Sequence, residues 1–238
     1  MPLLPEQTTP DRLRVAGLDG WKNGWVMAII DGERLASVSA ITDLAAGLAA
    51  AGPLDRIGID MPFPLLDGER AADALARAQL GRRASTVFSA PPLAALRATH
   101  YPDANAASRA AIGKGLSKQA WSLFPRIREV RAAIVSGLPA PVQESHPEVC
   151  FAVMTGGPLP RKASWDGVLR RIQALQAAGL DPLPHRGLPP SVAPDDVLDA
   201  IAVAWSARRA ARRSPGLLRL PASAPLDPEL GLPAQIVA

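Results

Sequence analysis

Arg14-Val-Ala-Gly-Leu-Asp-Gly20, followed by Trp21-Lys-Asn-Gly24 and Trp25-Val-Met-Ala-Ile-Ile-Asp-Gly32, decides the fold. The run from Arg14 to Asp19 is short and apolar, ends in an acid and meets a glycine, which predicts a buried strand. Residues 21–24 form a turn, and Trp25–Ile30 predicts a second strand. Asp31-Gly32 is a strong hairpin signal, and a third strand follows over Arg34–Ala40. Tight turns make these three strands antiparallel. Outward from them, Thr42 and Asp43 cap a helix over 43–51 that Gly52-Pro53 stops. Arg56-Ile-Gly-Ile-Asp60 predicts a fourth strand, again ending in an acid. A helix between strands three and four implies parallel pairing somewhere in the sheet.

The rest of the chain is coarser. A helix is expected over 68–80. Residues 81–141 form a mixed helical and loop insert, loop-like over Arg82–Pro92 and helical over 117–135 despite Pro125. A fifth strand is expected over Val142–His146, stopped by Pro147. Helices follow at about 147–154, 164–178 and 195–213, with a proline-rich loop at 181–194. The expected organisation is a loose tail at 1–11 and one α/β domain over 12–213, a mixed sheet flanked by helices. A proline-rich segment, 214–238, packs on it and carries at most a short strand at 235–237.

The 238 residues suit a single domain, and 48% hydrophobic with 20% charged residues supports a packed core and excludes wholesale disorder. One cysteine, Cys150, excludes an internal disulfide framework and cysteine-based zinc clusters; it reads as a small buried side chain. The first residues lack the apolar core of a signal peptide, and no run reaches the roughly 18 apolar residues of a membrane span. A cytoplasmic protein is the expectation. A net charge of +4 permits a polyanionic partner, with 22 acids beside 26 basic residues.

Carboxylates at the ends of apolar elements carry the functional reading. Asp19 and Asp60 close two strands, Glu144 sits in the fifth, and Asp196 and Asp199 share a face of the late helix. Acids in apolar elements are costly unless something compensates their charge. Divalent cations do so, and oxygen-only ligands suit Mg²⁺ or Mn²⁺. A pair of such ions could activate water in phosphodiester cleavage. A plainer reading stands beside each. Asp19 and Asp60 could cap turns, Glu144 could sit at an edge, and Asp196 suits a helix start. Asp199, in the second helical turn among apolar neighbours, is least explained that way. His146, two residues from Glu144, could orient a water or relay a proton, or simply be hydrogen-bonded near a helix start. His100 and His185 are loop residues without an evident partner.

Basic residues occur in short groups. Gly113-Lys114-Gly-Leu-Ser-Lys118-Gln119 could present backbone N–H groups and an ammonium to phosphate, although it is not a P-loop. Arg82-Arg83 is a second candidate. The arginines at 208–213 suit a solvated helix end.

These residues resemble a known family. Gly17-Leu-Asp19-Gly20 with Gly24-Trp25-Val26 looks like the first hairpin of the ribonuclease-H-like superfamily, and Asp196-Val-Leu-Asp199-Ala200 like the late helix of its Holliday-junction resolvases. More closely, the chain resembles the predicted ribonuclease-H-like nucleases catalogued as domain of unknown function 429. The matching stretches include Gly58-Ile-Asp60-Met-Pro62, Arg82-Arg83 through Phe88, Gly113–Ala120, Glu144-Ser-His146-Pro-Glu148 and Asp196–Ala200, across about residues 14–213. The resemblance implies a five-stranded sheet of order 3-2-1-4-5 with strand two antiparallel, Asp19 beside Asp60, and Glu144 nearby. It implies a nuclease binding Mg²⁺ or Mn²⁺ through Asp19, Asp60, Glu144 and Asp199. Asp196 and His146 would complete the catalytic set, with Lys114, Lys118, Arg82 and Arg83 on substrate phosphates. Two departures stand out: Asp60 falls where many superfamily members have glutamate, and the minimal fold lacks the 81–141 insert. The alternative is a nucleotide- or nucleic-acid-binding protein that keeps the fold without the chemistry.

Overall fold

The opening hairpins form where the apolar runs and the tight turns between them place them. In the computed structural model, which describes residues 12–183 and 187–238, β1 (Arg14–Trp21), β2 (Gly24–Asp31) and β3 (Arg34–Ile41) make an antiparallel meander. Helix α1 (Leu44–Ala50) follows, its Asp43 side chain accepting from the N–H of Ala46. It carries the chain over to β4 (Arg56–Ile59), which pairs parallel with β1. β5 (Val142–Glu144) lies parallel to β4. These five strands take the order β3-β2-β1-β4-β5.

The sheet does not end there. Among the described residues seven strands, not five, make it up, because β6 (Arg219–Leu220) and β7 (Ile236–Val237) extend it beyond β5. β7 pairs parallel with β5 at Glu144 and Ile236, and antiparallel with β6. Two-residue strands in a proline-rich stretch leave no alternation to detect, so their pairing comes from tertiary contact.

The 81–141 segment is more helical than its sequence suggests. α2 (Ala71–Leu80) runs into a 3-10 turn, Gly81–Thr86. Then come α3 (Leu93–Leu96), α4 (Tyr101–Ile112), α5 (Lys118–Ser122) and α6 (Phe124–Ser136). The expected single helix over 117–135 is thus split. Pro125 starts the second piece, where its missing N–H leaves no hydrogen bond unmade. α7 (Pro147–Thr155), α8 (Trp165–Ala177) and α9 (Pro194–Ala211) complete the set. The expected tail at 1–11 and His185 lie outside the described residues.

The two faces of the sheet carry two cores. Val15, Val26, Ala28 and Ile30 pack with α2, α7, α8 and α9, while Ala16, Leu18, Trp25, Met27 and Ile29 pack with α1 and the α3–α6 group. One position governs how close α9 comes. A Cβ on Gly17 would overlap the backbone of Ala200 and Ala204, so only glycine lets α9 lie directly on β1. Among the described residues no helix is long and apolar enough to cross a membrane.

Candidate active site

Parallel pairing places two acids together. Leu18 pairs with Ile59, and the N–H of Asp60 donates to the carbonyl of Leu18 at 2.8 Å, so Asp60, just past β4, stands beside Asp19, which lies within β1 and does not close it as expected. Asp199 comes to them from α9, on the face that Gly17 opens. Asp19 is 7% exposed and Asp199 3%, whereas Asp60 is half-buried. Burial, then the charges of Asp60 and Asp199, pushes the Asp19 carboxyl well above the usual range. Burial likewise raises Asp60, against the pull of His146. Asp199 is pushed up to about 7, again by burial, with Lys162 pulling the other way. Asp19 and Asp60 stand close enough for the charge of Asp60 to raise Asp19, a juxtaposition that a shared proton or a cation would relieve.

Lys162 holds the far side of the cluster. Its Nζ is 2.8 Å from Oδ2 of Asp199 and 3.0 Å from Oδ2 of Asp195. The other oxygen of Asp199 is buried with no hydrogen-bond partner. Asp196 does not join them: its carboxylate accepts from the N–H of Ala193 at 3.3 Å, the helix-start role its position allows.

Glu144 is beside the cluster but engaged elsewhere. Both its oxygens accept from Arg70, at 2.6 and 2.9 Å, and Arg70 also donates to Asp73 and to the Pro64 carbonyl. Burial pushes Glu144 up to about 7 even so, while the same carboxylates hold Arg70 firmly protonated. The paired geometry is that of an ionised carboxylate on a guanidinium. The expectation that Glu144 offers a free oxygen to a metal is therefore not met in this arrangement: a buried arginine takes both.

His146 stands immediately before α7 and does not hydrogen-bond Glu144. Its Nε2 lies 3.3 Å from the Thr86 carbonyl, and its Nδ1 is buried without a partner. Arg83 reaches the acids' cavity, 3.9 Å from Glu148. Lys114 pairs with Glu69 on the surface beside an adjoining cavity, and Lys118 lies over the Tyr101 ring. Arg82 is exposed.

The acids sit where two cavities meet. One, of about 350 Å³, includes Asp19, Asp60, Glu144 and Arg126 in its wall; the other, of about 460 Å³, includes Asp60, Asp199, Lys162 and Arg83. Thr86, Phe88 and His146 line both.

Sequence reading missed the residues that support the acids. Arg70, Lys162 and Arg171 carry no local motif, and Glu148 stands in a family-like stretch without any sign of its partner. Arg171 is fully buried and donates to both oxygens of Glu148 at 2.6 and 2.7 Å.

The donors fit a hard divalent ion in kind. Asp19, Asp60 and the unpartnered oxygen of Asp199 are carboxylate oxygens that compete for a shared positive charge. Among the described residues, no group of three or more His, Cys, Asp or Glu side chains is already drawn together around a metal-sized space. A family model described as a protein of unknown function, DUF429, matches residues 17–225. No curated protein and no solved structure matches the chain.

Proposed function

The chain belongs to the DUF429 family, whose function is unknown, and we propose for it a divalent-metal-dependent nuclease activity on a ribonuclease-H-like fold. The observation that carries this reading is the meeting of Asp19, Asp60 and Asp199. They come from two adjacent parallel strands and the helix laid across them, at the junction of two cavities. Two buried acids, Asp19 and Asp199, each pushed up first by burial and further by the charge of the half-buried Asp60, are unfavourable as structure alone and suit a functional site. The order β3-β2-β1-β4-β5 supports the fold assignment.

In this reading Asp19, Asp60 and Asp199 hold Mg²⁺ or Mn²⁺. When bound, such an ion activates water and stabilises charge on a phosphodiester. Arg83 lies at the cavity to meet a backbone phosphate, and exposed Arg82 and Lys114 extend the basic surface. Lys118, over Tyr101, contributes at the margin. His146 has a nitrogen free to hold or pass a proton beside Asp60. Glu144 keeps Arg70 and Asp73 in place under the cavity.

The test is cleavage of single-stranded, duplex, hybrid and branched nucleic acids by wild type and Asp19→Asn with Mn²⁺ and Mg²⁺. Wild type should cleave at least one class, and Asp19→Asn should lose about a hundredfold or more while staying folded. Full activity in the variant would sink the assignment. The second reading, a nucleic-acid-binding protein without turnover, draws support from the hold of Arg70 and Lys162 on two of the expected ligands. It predicts affinity that falls with salt and no metal-dependent cleavage.

A further inference from the structure

Lys162 is a half-buried cation set among acids, and its placement is built rather than incidental. It stands in the turn before α8, and that turn is tied down from three sides. Arg171, locked by Glu148, donates to the carbonyl of Pro160 at 3.0 Å. Ser164 donates its N–H to the carbonyl of Arg161 at 2.9 Å, and its hydroxyl to the same carbonyl at 2.7 Å. A Cβ on Gly167 would overlap that Arg161 carbonyl, so α8 closes directly over the turn. The buried Glu148–Arg171 pair thus supports the segment that delivers the ammonium.

The ammonium occupies particular oxygens. It engages Asp199 and Asp195 together, the two carboxylates on the α9 side of the cluster. It leaves open the other oxygen of Asp199 and the Asp19–Asp60 pair on the sheet side. A pair of divalent ions would need oxygens on both sides. One divalent ion needs only the sheet side and that open oxygen.

Resting on the metal-dependent reading above, we propose that Lys162 is the site's second cation. The cluster takes one divalent ion, between Asp19, Asp60 and the open oxygen of Asp199, and Lys162 holds the place of another. Removing the ammonium frees Asp199 and Asp195 together and creates a second ion seat.

The experiment counts Mn²⁺ ions bound by the full chain, using calorimetry and the loss of the free-ion paramagnetic resonance signal. Wild type should bind one ion per chain, Lys162→Gln two, and Lys162→Arg one. Circular dichroism melting of each variant checks that it is folded, and the wild-type count tests the proposal without any variant. Two ions in wild type, or one in both wild type and Lys162→Gln, overturns the role of Lys162 while leaving metal-dependent chemistry in place. No Mn²⁺ bound by folded wild type or by folded Lys162→Gln overturns both.

Discussion

At the residue scale, the acids that suit chemistry weaken the fold as pH rises. A carboxyl whose folded-state pKa lies above its unfolded value stabilises the protein at low pH, and that stability is lost as pH climbs through the folded value. Asp199, raised to about 7, places this loss between about pH 4 and 8, with Asp19 adding to it. Every tenfold gain in a carboxyl's proton affinity on folding corresponds to about 1.4 kcal/mol. Asp227 and Glu229 act oppositely: Arg131 holds Asp227, and Arg97 with Arg131 holds Glu229, below the ordinary range, so their contribution is present above the unfolded pKa near 4 and vanishes in acid. In EDTA the melting temperature should therefore peak near pH 5 to 6 and fall by pH 8. Asp19→Asn, which removes one crowded charge, should melt higher than wild type at pH 8 and show a shallower decline. A melting temperature that rises from pH 5.5 to 8 would contradict this account of the cluster. The acids themselves were legible, because charges ending apolar runs stand out against their neighbours. Their partners were not: 74 residues separate Arg70 from Glu144 and 37 separate Lys162 from Asp199, and no local pattern signals such pairings.

At the element scale, α9 against β1 is the contact that assembles the site. Gly17 supplies the clearance, and the helix packs on it through Ala200 and Ala204. Gly17→Ala would drive a methyl group into helix backbone, which cannot swing aside as a side chain does. The expected cost is about 3 kcal/mol or more in urea unfolding. Because Asp199 rides on the same helix, Mn²⁺ affinity should fall with it. Stability within about 0.5 kcal/mol of wild type would mean that α9 shifts freely and does not set the acids' spacing. The elements legible beforehand share one property: a repeating local signal. β1 to β4 alternate or run apolar between turn residues, and α9 begins with proline and acids. α4 also opens on a proline and an acid, Pro102 and Asp103, but alanines on every side leave it no apolar stripe, and β6 and β7 are too short to have one. The single helix expected over 117–135 despite Pro125 is two helices, α5 and α6, packed against each other.

At the scale of the whole molecule, the C-terminal segment closes the structure on the side opposite β3. Beyond β7's pairing with β5, one fully buried acid ties this segment to the rest. Asp227 pairs with Arg131 of α6 and accepts from the N–H groups of Leu65, Glu229 and Leu230 at 2.7 to 2.9 Å. Arg131 in turn donates to the carbonyl of Phe63 at 2.7 Å. Residues 63–65 belong to the loop that leaves Asp60, so one carboxylate links the C-terminal segment, the helical insert and the backbone behind the site. Asp227→Ala would leave a buried guanidinium short of a partner and three N–H groups unpaired. Breaking a buried pair of this kind costs about 3 to 5 kcal/mol. For a chain of this length that corresponds to a melting temperature lower by about 10 °C. Because the loop behind Asp60 loses its tether as well, the variant should also bind Mn²⁺ more weakly at temperatures where it is fully folded. A melting temperature within about 2 °C of wild type would show that the C-terminal segment adds strands to the sheet without supporting the acids beneath it.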